Sequence, residues 1–111
     1  MSFERGDIVW VKFPFSDASS NKLRPALIIS NDLINSTHDY LLMQITTRLR
    51  GDNLSMIISE NDFKETPLLK QSELRLHKIF ILHENLIESR ITKVNNNFIK
   101  TVIEKLYVLL T

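Results

Sequence analysis

The chain has no cysteine among its 111 residues. That rules out a disulfide framework and a thiolate metal site, and it suits a reducing cytoplasm. Glycine and proline are scarce, with two and three residues. Two glycines cannot furnish a G-x-G-x-x-G nucleotide loop, and no phosphate loop or G-x-S-x-G elbow is present. The connections should therefore be short, or built from Asn, Ser and Asp. No apolar run approaches the ~18 residues of a membrane span. The opening MSFERGD has no apolar stretch of the signal-peptide kind, so a cytoplasmic protein away from the membrane is expected. A strong charge of one sign is missing too: the formal net charge is +1 and the pI about 8.0. Nucleic acid is thus not bound by bulk charge, and any such site must be a local cluster. An apolar fraction of 43% and a charged fraction of 24% remain. These are ordinary for one globular domain, here residues 1–111, long enough to bury a core without staples.

Alternation of apolar and polar residues predicts strands over Asp7–Phe13, Arg24–Ser30, Tyr40–Thr46, Leu54–Ser59 and Ser72–Leu82. The first two, separated by the polar FSDASSNK, read as a hairpin with a wide loop. NDLINSTHD is a turn-rich connection. Ser59 followed by Asp62 has the form of an N-cap before a short helical turn. Ile87–Val94 fits either a short strand or a helical turn. Beyond it, Phe98, Ile99, Val102, Ile103, Leu106, Leu109 and Leu110 fall on one face of a helix over Asn97–Leu110, capped by Asn95 or Asn96. The fold class is mainly β with a C-terminal helix: a small antiparallel barrel or strongly curved sheet with the helix packed on it.

Three places carry possible chemistry. In KLRPALIIS, Arg24 precedes Pro25 and shares a face with Ala26, Ile28 and Ser30. Its planar, permanently charged fork matches a phosphate bidentately. The plain alternative is a surface arginine at a strand end. In YLLMQITTR, Gln44 and Thr46 share a face, and Thr46, Thr47 and Arg48 end an apolar strand with hydrogen-bonding groups. Threonine is common in strands for structural reasons alone. In SELRLH, alternation puts Glu73, Arg75 and His77 on one face, opposite Leu74, Leu76 and Phe80. Such a stripe is usually the solvated side, but Arg75 could add a phosphate contact. His38, His77 and His83 lack metal-ligand spacing, so no metal or cofactor is expected. Spacing leaves a paired-histidine nuclease open.

Three segments together resemble the PemK/MazF family of toxin endoribonucleases from type II toxin–antitoxin systems: RGDIVWVKFPFSDASSNKLRPALIIS (residues 5–30), YLLMQITTRLR (40–50) and QSELRLHKIFIL (71–82). They stand in the family's order with similar gaps, and a C-terminal helix follows. The resemblance implies an SH3-like β-barrel, usually a homodimer, and metal-independent, sequence-specific cleavage of single-stranded RNA. The RNA's 2′-OH would attack the adjacent phosphorus and leave a 2′,3′-cyclic phosphate. By this resemblance Arg24 and Thr46 take the catalytic positions, and Thr47 matches less closely. Lys22, Arg48 and Arg75 would position the RNA backbone, and the Ser16–Lys22 loop would cover the strand. The implied partner is a cognate antitoxin with a segment that folds on binding.

The chain also departs from the family. Some members carry an acidic residue shortly before the arginine, whereas Asn21, Lys22 and Leu23 stand here. Glu73 would replace that carboxylate if the fifth strand lay beside the second. The same fold serves gyrase-poisoning toxins typified by CcdB, which are not nucleases, so a non-catalytic gyrase- or nucleic-acid-binding toxin is the alternative.

Overall fold

A computed structural model describes residues 3–12 and 22–111. Six strands, β1 (Asp7–Lys12), β2 (Leu23–Ile28), β3 (Asp39–Thr46), β4 (Ser55–Ile58), β5 (Ser72–His83) and β6 (Ile87–Lys93), form one antiparallel sheet in the order β4-β5-β3-β2-β1-β6. One helical turn, α1 (Asp32–Asn35), lies in the Asn-rich connection, and the long helix α2 (Asn96–Leu110) ends the chain. β4 and β6 are edges, so the pairing does not close the expected barrel. The ends are nevertheless drawn together. Phe63, just past β4, bridges Val94, just past β6, and Lys64 N–H donates to the Lys93 carbonyl at 2.8 Å.

Alternation gives the sheet two apolar faces. Ile8, Leu27, Met43, Ile45 and Leu74 share a core with Phe98, Ile99 and Val102 of α2. Val9, Val11, Ala26, Ile28 and Leu42 lie in a second core with Phe3 and Tyr40. Each fully buried side chain of this size stabilises the fold by about 1.5–3 kcal/mol. Helix α2 starts where predicted, with the Asn95 side chain accepting the Phe98 N–H at 2.8 Å. Its buried contacts come from its first half, while Ile103, Tyr107, Val108 and Leu110 are exposed.

Gly6 explains the GDI opening. Its φ is +98°, its N–H donates to the Ile28 carbonyl at 2.8 Å, and its own carbonyl accepts from Val94 N–H at 2.9 Å. A side chain there would adopt a backbone conformation that suits only glycine.

In β5 the expected facing holds only for the first half. Leu74 pairs with Ile45, yet Ile79 pairs with Met43, so five residues of β5 span two of β3. The odd excess reverses the alternation. Leu74 and Leu76 therefore join the α2 core, while Phe80 joins the other.

Candidate active site

β2 and β3 run antiparallel, with Ala26 opposite Gln44 and Leu27 opposite Met43. The pairing ends at Ala26 and Gln44; Arg24 and Thr46 lie two residues further on, at the same end of these neighbouring strands. Residues two apart in a strand share a face, so both lie on the face of Ala26 and Gln44. Both side chains are half-buried. Thr46 in turn pairs with Glu73 of β5, and Arg24 with Val11 of β1. Val11–Arg24 and Thr46–Glu73 are thus two cross-strand pairs at this end of the sheet. Lys22 enters β2, and Thr47 and Arg48 leave β3, so the antiparallel pairing brings all three to this end of the sheet, where they are exposed. Arg50, unnoticed in the sequence, adds another exposed cation. The expected covering loop lies, for residues 16–21, outside the described residues.

Thr46 Oγ1 accepts the Arg48 N–H at 3.1 Å, which fixes the side chain at the turn out of β3. A hydroxyl has one donor and two acceptor sites, so its proton is a separate hydrogen-bond donor. This end of the sheet therefore offers a cationic fork and an O–H donor, groups that can each bind a phosphate oxygen.

Two expectations for β5 need correcting. Glu73 does not lie beside Arg24, because β3 stands between β5 and β2. Nor is its carboxylate open: it is 0% exposed and accepts the Arg50 N–H at 2.9 Å and the Gly51 N–H at 3.5 Å. Burial pushes its pKa up, but the Arg50 N–H, the Ser55 hydroxyl, the Gly51 N–H and the Arg75 charge outweigh that and hold it below the ordinary value. A carboxylate so held is a weak base. Arg75 is 6% exposed rather than solvated. Its Nη1 donates to Asp52 Oδ1 at 3.1 Å and to the Ser55 hydroxyl, and lies 3.7 Å from Glu73 Oε1. Glu73 and Arg75 are buried, with their partners supplied by residues 50–55 ahead of and entering β4, whereas His77 of the same stripe is exposed. Sequence reasoning missed this buried pair, although a Glu and an Arg two apart on one strand face are a readable signal for it.

His77 is exposed on β5, two residues beyond Arg75; the other two histidines stand elsewhere. His38 Nδ1 lies 3.1 Å from Glu84 Oε2, and His83 pairs with Asp39, the first residue of β3. Thr46 is the last residue of β3, about 20 Å away at the usual rise per residue. Among the described residues no group of three or more metal-ligating side chains occurs, and no helix is long and apolar enough to cross a membrane.

The family model for the PemK-like, MazF-like toxin of type II toxin–antitoxin systems matches residues 4–110. The chain belongs to this family. A search of curated proteins found no match. Among solved structures, an endoribonuclease in complex with its cognate antitoxin from a mycobacterial species superposes with a TM-score of 0.78 at 19% identity, covering 98% of this chain and 95% of that one. The MazE–MazF complex (Form-III) from Deinococcus radiodurans gives 0.78 at 19% identity, with 99% and 97% covered. The Mycobacterium tuberculosis toxin MazF-mt6 gives 0.72 at 14% identity, with 94% and 95% covered. At such identities the superpositions establish a MazF-like fold. In the family segment RPALI, Pro25 lies within β2 opposite Trp10, and the residue before a proline is biased to extended backbone. That holds Arg24 in the strand.

Proposed function

We propose that this chain is a metal-independent endoribonuclease toxin that cuts single-stranded RNA at a short sequence. The 2′-oxygen bonds to the adjacent phosphorus as its proton leaves, the bond from phosphorus to the 5′-oxygen breaks, and that oxygen takes up a proton. The products are a 2′,3′-cyclic phosphate and a 5′-OH. What supports this reading is that Arg24 and Thr46 lie on one face at the same cationic end of neighbouring strands, in a chain of this toxin family.

In this scheme Arg24 stabilises the charge that builds on the phosphorane, and Thr46 donates to a non-bridging oxygen in the manner of an oxyanion hole. A guanidinium is a poor base at neutral pH, so charge stabilisation is its natural part. Lys22, Arg48 and Thr47 line the approach of the RNA backbone. Specificity comes from contacts to unstacked bases, since the net charge of +1 gives little non-specific attraction. A cognate antitoxin covering the Arg24 end, a homodimeric state and a cytoplasmic setting complete the reading. The Phe63–Val94 bridge supports describing the curled sheet as SH3-like.

The test is cleavage of a long single-stranded RNA in EDTA by wild type, Arg24→Ala and Thr46→Ala. Fragments ending in 2′,3′-cyclic phosphate, made by wild type and lost in folded Arg24→Ala, are expected. No cleavage by pure wild type across diverse RNAs would overturn the reading and make gyrase the next target.

A further inference from the structure

No charged side chain among the described residues is more deeply buried than Glu73, yet the cleavage scheme gives it no chemical part. Arg75, two residues on, is nearly as deep. Buried ions are costly, and an apolar pair of similar volume often serves stability as well or better. The partners of these two suggest why charge is present. Glu73 takes the amides of Arg50 and Gly51, one on each carboxylate oxygen. Arg75 Nη1 takes both oxygens of Asp52, at 3.1 and 3.3 Å, and the Ser55 hydroxyl.

Apart from their mutual ion pair, these contacts all fall within residues 50–55, the connection from β3 to β4. The same connection leaves β3 at Thr46, whose Oγ1 holds the Arg48 N–H. The chain from 46 to 55 is therefore tied at its start, middle and end. The side chains of Thr47, Arg48, Leu49 and Arg50 stay exposed between the ties. Local contacts order its two ends, through Thr46 and through Asp52, whose Oδ1 accepts the Leu54 N–H at 3.0 Å and the Ser55 hydroxyl at 2.7 Å; the Arg50 and Gly51 amides between them are held from β5.

We infer that Glu73 and Arg75 are positioning residues that hold the β3–β4 loop as a rigid rim, so that Thr47 and Arg48 meet the RNA flanking the scissile phosphate in one fixed register. This rests on the ribonuclease reading above. A fixed rim contributes to binding and to the choice of cut site. It contributes little to the chemical step, which belongs to the Arg24 and Thr46 side chains.

The experiment compares wild type, Glu73→Gln and Asp52→Ala by steady-state cleavage of a single-stranded RNA with the cut sites mapped, and by amide exchange at Arg50 and Gly51. In the variants KM should rise about tenfold, the worth of one hydrogen bond to a charged group. The kcat should stay within about twofold, and extra cut sites should appear. The two amides should exchange faster in Glu73→Gln. If Glu73→Gln does not fold, Asp52→Ala, altered on the half-exposed loop side, carries the test. Unchanged KM and cut sites in a folded variant, even with a lowered melting temperature, would overturn the inference and leave the nuclease standing. A fall in kcat alone would overturn it too. A wild type that cuts no RNA would overturn the nuclease reading and this inference with it.

Discussion

Replacing Thr46 by valine separates what its hydroxyl does for the fold from what it does for phosphate chemistry. The shape is nearly conserved, and valine is at least as well suited to a strand as threonine. The one described hydrogen bond lost is from the Arg48 N–H, an exposed amide that water can satisfy, so the cost to stability should be at most about 1 kcal/mol. In the proposed scheme the same atom supplies a donor to the phosphate from a half-buried side chain. Removing one such donor typically lowers kcat by about 10²–10³-fold, or ~2.7–4 kcal/mol of transition-state stabilisation. Activity should therefore collapse while the melting temperature barely moves. The assay is single-turnover cleavage of a short single-stranded RNA beside thermal unfolding of the same samples. Thr46→Ser, which keeps the donor, should recover most of the rate. A folded Thr46→Val protein cutting at the wild-type rate would refute the assignment of Thr46.

Other expectations concern the scaffold. Gly6→Ala should cost about 1–2 kcal/mol, because an L-residue is strained at a φ of +98°; chemical denaturation measures it, and an unchanged midpoint would refute the reasoning. Tyr40→Phe removes the oxygen that accepts the buried Phe3 N–H at 3.1 Å. The stranded donor should cost about 1–3 kcal/mol in the same assay, more than the loss of a solvated hydroxyl would. Glu73 titrates below its ordinary carboxyl value of 4.5 in the folded chain. Its ionised form therefore stabilises the fold fully above that pH, and this contribution is lost as pH falls from there through the lower folded value. Melting temperatures between neutral and acid pH should consequently fall less in Glu73→Gln than in wild type, and parallel profiles would contradict the pKa direction.

Strands β1 to β5 and helix α2 were legible because their periods are clean over six residues or more, or because turn residues bracket them. The segment IESRITK was ambiguous for a physical reason: β6 is an edge strand whose Glu88, Ser89 and Arg90 all face solvent, which erases the alternation. The turn α1 has four residues, too few for a helical period to show. It is held instead by the Asn31 side chain accepting the Leu33 N–H. The stripe of Glu73 and Arg75 misled because the partners of these buried groups come from residues 50–55, which no local pattern in β5 can register. Arg24 and Thr46 each carried a weak signal alone. Their sharing one end of the sheet depends on the pairing register of two strands, a property of neither, and the family resemblance named both as catalytic without placing them together.

That register makes the chemistry a proofreader of folding. Side chains of β3 point alternately to two different cores, so a slip of one residue against β2 would turn Ile45 toward Arg24 and drive Thr46 into the layer beneath α2. A mispaired chain loses its candidate donor and its packing in the same stroke.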